Sequence, residues 1–288
     1  MFANNFILYV YLQIKTLYPY MSRKNNYIDD YLIKIQSEGK LYFTLSDLQN
    51  AFTEKSKSAI SANITRLSKK GKIKHIMKGF YIIIPPEYLI QSMIPPELFI
   101  SSLFNHLQRN YYVGLLSSAF YHGSSHQQPQ EYFVMINHPP IRPKILSNVK
   151  INFVVNSDIE KCVIDKKKSR TGYFNVSSIE QSVIDLMDFH EIVGGIDRAS
   201  TVINDLLTNL SADRLKGVLP AAKSISSIQR LGYLFEVVFN NYLLAKVIED
   251  FLKGKNLFSY ELKPGKGKSG YKINNKWKII ENDSIEME

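Results

Sequence analysis

The 288-residue sequence predicts an α+β protein: a small N-terminal domain of three helices and a hairpin, then a larger mixed α/β C-terminal domain. Three observations carry this. Residues 42 to 84 follow the order strand, helix, turn, helix, hairpin. Two proline pairs, Pro85-Pro86 and Pro95-Pro96, punctuate the chain directly afterwards. With 45% hydrophobic and 12% aromatic content, the remainder can bury a second core. The expected division is 1–21 as an extension, 22–84 as the first domain, 85–96 as linker and 97–288 as the second domain.

Ile28, Tyr31, Leu32 and Ile35 recur at helical spacing, giving a first amphipathic helix that ends before Glu38-Gly39. A short extended piece, Leu41 to Phe43, comes next. Thr44 with Asp47 three residues on reads as a variant capping box, starting a helix over Leu45 to Phe52. After a polar turn, SKSAISANITRLSKKG places Ile60, Ile64 and Leu67 on one buried face. Gly71 stands where a helix C-cap is expected. KIKHIM and FYIII then form a hairpin around Lys78-Gly79. This order describes a winged helix-turn-helix.

On a helical wheel Ser58, Ser61, Ala62, Thr65, Arg66 and Lys69 lie opposite the Ile60/Ile64/Leu67 stripe. A helix that enters the major groove needs such a slim face, with cations at its margins to meet phosphates. The DNA-binding candidates are therefore Lys57, Ser58, Ser61, Thr65, Arg66 and Lys69, with Lys74 and Lys78 on the wing. The cations are expected to position the protein on phosphates, and the small hydroxyl residues to reach base edges. A solvated lysine-rich face is the competing explanation.

Net charge is +10, and its distribution is uneven. Residues 22–78 carry 12 Lys and Arg against 5 Asp and Glu, and residues 251–278 carry 8 against 1; residues 79–250 carry 15 against 16. Two basic stretches thus bracket a nearly neutral middle, which favours polyanionic partners and salt-dependent binding. Lys263, Lys266, Lys268, Lys272, Lys276 and Lys278 form a candidate second basic surface, for extra DNA contact or plain solvation. Cys162 is the single cysteine, which excludes an intrachain disulfide and fits a reducing cytoplasm. Its expected place is as a small apolar filler beside Val163 and Ile164. The apolar run at residues 6–18 is broken by Gln13 and Lys15 and is too short to span a bilayer. Helix-like order starts after Met21, so residues 1–20 are expected to reflect an upstream start choice.

In the second domain the pattern predicts helices over Glu97–Gln108 and Gly114–Tyr121, strands at Tyr132–Ile136, Lys150–Val155 and Tyr173–Val176, and helices from Ser178 to Lys253. A basic β-like piece, GYKINNKWKIIEN, closes the chain, with a frayed acidic tip from Asp283. His122 and His126 have the spacing of a helical metal pair, but Gly123 and Pro129 end the helix and further ligands are lacking, so no metal or cofactor is expected. Tyr121, His122, His126 and Gln128 read instead as a hydrogen-bonded buried turn.

Taken with KGFYIIIPPEY at 78–88, YVGLLSSAFYHGSSHQQPQEYFV at 112–134, IEQSVIDLMDFHEIVGG at 179–195, RLGYLFE at 230–236 and WKIIEN at 277–282, the chain resembles the AbiEi family of type IV antitoxins. These belong to bacterial toxin–antitoxin and phage abortive-infection systems. The resemblance covers most of the chain after Met21, where most such proteins start. It implies a winged helix that binds inverted repeats in its own promoter and represses the operon. It also implies a C-terminal domain that counteracts a nucleotidyltransferase-like toxin without a stable complex. It adds antitoxicity as a further role for the second basic surface, Lys263 to Lys278, and no catalytic residue is carried over. Tyr121, His122, Gly123, His126 and Gln128 mark the family without an assigned role.

Two other readings use the same residues. Asp250, Glu261 and Lys263 are the residue types of a metal-dependent nuclease, though Glu-x-Lys arises by chance in basic chains. An effector-responsive transcription regulator would share the winged helix. Asp185, Asp188 and Glu191 read as the carboxylate face of an ordinary surface helix.

Overall fold

The computed structural model describes residues 27–124 and 131–287. The chain divides into two compact units between Leu89 and Ile90. The expected start choice at Met21 lies outside the described residues.

In the first unit α1 (Tyr27–Ser37), β1 (Tyr42–Thr44), α2 (Leu45–Ala51), α3 (Lys57–Lys69), β2 (Ile73–Met77) and β3 (Phe80–Ile83) follow the expected order. Local chemistry sets their ends. Asp47 N donates to Thr44 Oγ1 at 3.1 Å while Thr44 N donates to Asp47 Oδ2 at 2.7 Å, a complete capping box at the start of α2. Ser56 Oγ caps α3 by accepting from Ala59 N. At the other end of α3, Lys72 N bonds Leu67 O and Gly71 N bonds Ser68 O, with Gly71 at φ 68. This double closure needs a left-handed residue, which glycine supplies without a Cβ clash.

The three strands form an antiparallel sheet in the order β1-β3-β2. Lys78 and Gly79 both hold positive φ, 45 and 75, as the tightest two-residue hairpin turn requires. Leu45 N donates to Gly79 O at 2.8 Å, fastening the hairpin tip to the start of α2. Ile28, Leu32, Ile35, Phe43, Leu48, Ile60, Ile64, Leu67, Ile73 and Ile83 make the core.

A single 3₁₀ turn at Pro86–Tyr88 ends the first unit, and past Leu89 the buried Met93 and Ile94 precede another at Pro96–Leu98. The helix expected from Glu97 is shorter: α4 spans Ile100–Leu107 and closes on Gln108 in the left-handed region. The second unit is built on a six-stranded mixed sheet. Its strands are β4 (Tyr111–Val113), β5 (Glu131–Ile136), β6 (Lys144–Leu146), β7 (Val149–Val155), β8 (Ile164–Ser169) and β9 (Gly172–Ser177). Their order is β6-β7-β5-β4-β9-β8, with β5/β7 and β4/β9 parallel and the other neighbours antiparallel.

Helix α5 (Leu115–Tyr121) links β4 towards β5, and α6 (Ile179–Asp188), α7 (Ile196–Leu206), α8 (Ala212–Val218), α9 (Ile225–Tyr233) and α10 (Tyr242–Leu252) follow the sheet. A π-helical turn, Leu234–Val238, extends α9. Residues of α5 to α10 and the inner sheet face share one core, in which Trp277 is also buried. A small sheet of β10 (Tyr260–Glu261), β11 (Ile273–Asn274) and β12 (Ile279–Ile280), ordered β10-β12-β11, closes the unit.

Three expectations need correction. Helix α6 is not a surface helix: Glu180, Gln181, Ser182 and Asp185 are all buried along with its apolar residues. Cys162 is not a plain filler, since its thiol lies 3.3 Å from Asn156 Nδ2 and 3.5 Å from the Tyr112 hydroxyl. The acidic tip is pinned, not frayed, at Asp283, which pairs with Lys263 and Lys266, and at Glu286, whose N donates to Asp197.

Candidate nucleic-acid interface and the C-terminal domain

Helix α3 buries Ile60, Ile64 and Leu67 and leaves Lys57, Ser58, Ser61, Ala62, Thr65, Arg66 and Lys69 exposed. The side chains on that face are partly ordered. Thr65 Oγ1 donates to Ser61 O at 3.0 Å, and the Ser56 and Ser58 hydroxyls lie 2.9 Å apart. Asn63 sits between the two faces and donates to Ala59 O and the Tyr27 hydroxyl, which fixes α1 against α3.

Arg66 differs from its neighbours. Its guanidinium lies 3.4 Å from Asp29 of α1, whose other oxygen holds Lys72 Nζ at 2.6 Å. One largely buried carboxylate thus orients two exposed cations at the C-terminal end of α3. Neither Asp29 nor Lys72 is distinguishable in sequence from other charged surface residues, so this cluster escapes pattern reading. On the hairpin, Lys78 is exposed at the turn, whereas Lys74 is half-buried and its ammonium is pushed below the usual lysine range by burial.

The second basic surface is smaller than its six lysines suggest. Lys263 is 8% exposed and bridges Asp197 at 2.7 Å and Asp283 at 3.2 Å, so it belongs to the interior. Lys266 shares Asp283. Lys276 reaches Glu236 at 2.9 Å and Glu249 at 3.7 Å. Lys268 is exposed on the GKGKSG turn and Lys272 is exposed just after it, and Lys278 is half-buried at φ 52. The nuclease set is not gathered either. Asp250 pairs with Lys246 and Lys253, and Glu261 accepts from Gly265 N.

The Tyr121–His122–Gly123 segment ends α5 as a knot of packing and hydrogen bonds. Tyr121 donates to Glu97 at 3.1 Å, packs edge-on against Phe174, and receives Lys167 Nζ on its carbonyl. His122 Nε2 meets the Ser177 carbonyl at 2.6 Å. A carbonyl only accepts, so Nε2 carries the proton, and burial holds this imidazole below the usual histidine range. Ser182 continues the knot with bonds to Ser118 and Ser177. The contacts hold α5 to β9 and α6, with Tyr121 and His122 half-buried; His126 and Gln128 lie outside the described residues. Among the described residues no three His, Cys, Asp or Glu side chains cluster as a metal ion requires.

Beneath this knot lies a buried polar cluster that the sequence does not announce. Asp185 receives Gln181 Nε2 at 2.9 Å on one oxygen, while the other finds no hydrogen-bond partner among the described residues. Burial pushes this carboxyl up to about 7. Asp188, one turn on, accepts from Lys223 N at 2.8 Å and is also raised by burial. Burial likewise lifts the Tyr112 hydroxyl, and raises the Cys162 thiol to about 11, which keeps that thiol protonated and unreactive.

At the far end of the unit Trp277 enters the core against Gly232. Its indole N–H donates to Glu236 on the π-helical turn, and its carbonyl accepts from Gln229 Nε2 at 2.7 Å. Arg230 Nε reaches Glu261 O, and Tyr233 reaches Glu281. RLGYLFE and WKIIEN, two of the segments that carry the family resemblance, are therefore the two halves of one joint.

Residues 112–237 match the family model described as the AbiEi antitoxin C-terminal domain. The second unit holds an AbiEi antitoxin domain. The match runs from Tyr112 in β4 to Val237 in the π-helical turn, and so takes in the buried polar cluster and the Gly232 side of the joint. The family supports an antitoxin role in a toxin–antitoxin pair and implies a toxin as partner in general. No curated protein matches this chain. Its fold is similar to the crystal structure of the RV2827C protein from Mycobacterium tuberculosis, with TM-score 0.61 at 15% identity, covering 87% of this chain and 89% of that one. An antigenic nucleotidyltransferase-like protein from Paracoccidioides brasiliensis reaches only TM-score 0.32 at 8% identity, covering 52% of this chain and 88% of that one, and carries no argument. Among the described residues no helix is long and apolar enough to cross a membrane.

Proposed function

We propose that the first unit is a winged helix-turn-helix that binds double-stranded DNA at inverted repeats in its own promoter, making the protein an autorepressor as well as an antitoxin. The C-terminal domain counteracts a nucleotidyltransferase-like toxin without forming a stable complex with it. The protein is thus the antitoxin of a type IV, phage-defence operon and acts in the cytoplasm without enzymatic chemistry of its own. Residues 22–84 carry the DNA reading and residues 97–288 the antitoxicity.

One observation carries the DNA reading. The face of α3 opposite its buried stripe offers Ser58, Ser61, Ala62 and Thr65, flanked by Lys57 and Lys69, with nothing bulkier than a threonine along the middle. A backbone held close to base edges by cations on either side is what major-groove entry demands. The hairpin bearing Lys74 and Lys78 supplies the backbone contact beside it. Of the C-terminal lysines, Lys268 and Lys272 remain the candidates for antitoxicity or added DNA contact.

Gel-shift titration on the DNA upstream of the gene, across a salt series, tests the reading. Selective binding should weaken with salt and weaken further in Ser61→Ala/Lys69→Ala protein. Equal affinity for promoter and random duplex would overturn the autorepressor assignment.

A further inference from the structure

The neutral average of residues 79–250 conceals one concentrated run of charge, Lys166-Lys167-Lys168, and the fold places it on β8, an edge strand. Strands β8 and β9 form a hairpin with Lys166 opposite Asn175, Lys167 opposite Phe174 and Lys168 opposite Tyr173. Alternation along a strand separates these pairs by face. One face is tied down: Phe174 is buried against Tyr121, and Lys167 Nζ donates to the Tyr121 carbonyl. The other face carries Lys166, Lys168 and Tyr173, all exposed, with the tyrosine 61% open. No ion pair engages Lys166 or Lys168 among the described residues.

We propose that this outer face of the β8–β9 hairpin binds single-stranded RNA, Tyr173 stacking on a base while Lys166 and Lys168 meet phosphates of the same strand. The two lysines stand two residues apart on one strand, on the order of 7 Å, a separation suited to successive phosphates of an extended chain. An open aromatic ring beside ammonium groups is the combination that holds unpaired bases, because each base has a stackable face and each nucleotide a charge. A duplex hides those faces, so the tyrosine selects against it, and RNA is the nucleic acid whose recognition rests on splayed, stacked bases. Lysines also deter an edge strand from pairing with other chains. That role accounts for the lysines and leaves the open tyrosine without a purpose.

The test is fluorescence anisotropy of the full chain with labelled single strands of about 12 nucleotides, in RNA and in DNA, and with promoter duplex. Tyr173→Ala should weaken binding to the RNA about tenfold, and Tyr173→Phe should restore it. Lys166→Ala/Lys168→Ala should lower the salt slope by about 1.4, or 0.7 for each lysine. Both changes should leave promoter binding intact, whereas Ser61→Ala/Lys69→Ala should do the reverse, so the two assignments fail independently. RNA binding that is absent, or untouched by Tyr173→Ala and the lysine pair, would overturn the proposal. So would an equal loss on duplex DNA, or loss of toxin neutralisation with RNA binding unchanged, which would make the face a duplex or a protein surface.

Discussion

Gly232 and Trp277 occupy one place in the core: a Cβ built on Gly232 would overlap the six-membered ring of the indole. The ring cannot retreat, because its N–H is held by Glu236 and its carbonyl by Gln229. Gly232→Ala should therefore cost about 1–3 kcal/mol or more, the range for overpacking a closed core, although alanine is the better helix former in open solvent. Trp277 is the sole tryptophan, so its fluorescence reports this joint directly. A Gly232→Ala protein with unchanged unfolding midpoint and emission maximum would refute the assignment.

What the sequence made legible is local. The Thr44–Asp47 capping box, the Ile60/Ile64/Leu67 stripe and the Lys78-Gly79 turn depend on residues within a few positions of each other, and each stands where it was expected. What it hid depends on distant partners. Asp185 reads as a solvated carboxylate until the sheet and the following helices enclose α6, and Lys263 reads as surface until Asp197 and Asp283 surround it. Strand β8 carries charge on both faces, so it shows no alternation of the kind that marks a strand. The family segments were recognisable as words, but that Gly232 and Trp277 belong to one joint is a fact of packing.

Asp185 gives the unit a pH dependence whose sign is fixed. Burial holds the carboxyl at about 7 in the folded protein, against 3.8 for the free group. The folded state keeps a proton that the unfolded chain releases, so this contribution to stability is full below 3.8 and is lost as pH rises towards 7. Asp188 nearby adds to the rise and Lys223 opposes it. Buried His122 and His190, both held below 6.5, act the other way: their contribution is present above 6.5 and lost as pH falls. Asp185→Asn should therefore raise the unfolding midpoint most at pH 8, with the advantage shrinking towards pH 5. An advantage that does not vary with pH would sink the argument.

Asp29 opposes the cations it orients. Asp29→Asn would free Arg66 and Lys72 beside the exposed face of α3 and remove a negative charge from a surface proposed to meet phosphates. Both partners are about half exposed, so the cost in stability should stay within about 1 kcal/mol. Duplex binding should tighten and its salt slope steepen by about 0.9, one phosphate contact. Weaker binding by a folded variant would show instead that the carboxylate is needed to aim the cations.

Lys78 separates stability from recognition. It holds φ 45, where a Cβ carries a penalty that asparagine bears more easily, and it is exposed at the hairpin tip. Lys78→Asn should keep or slightly raise the thermal midpoint while weakening promoter binding through the lost cation. If both quantities fall together, the lysine side chain supports the turn itself, and its place in the proposed interface has to be given up.

Lys263 and the pair Lys268/Lys272 stand close in sequence and should behave as different kinds of residue. Among the described residues, truncating Lys263 leaves Asp197 with no cation and takes from Asp283 one of its two, in a site where Lys263 itself is buried, so Lys263→Ala should lower the unfolding midpoint clearly. Asp283, held down to about 2 by Lys266 and Lys263, would lose part of that depression. Lys268→Ala/Lys272→Ala removes two exposed charges, one on a glycine-rich turn and one just after it, and should leave the midpoint unchanged. If that turn acts in antitoxicity, cells expressing the toxin should be rescued less well by the double variant at equal protein level. Full rescue by the double variant, with Lys263→Ala failing only where it unfolds, would make the C-terminal lysines structural or solvated and move the search for the neutralising surface into residues 112–237.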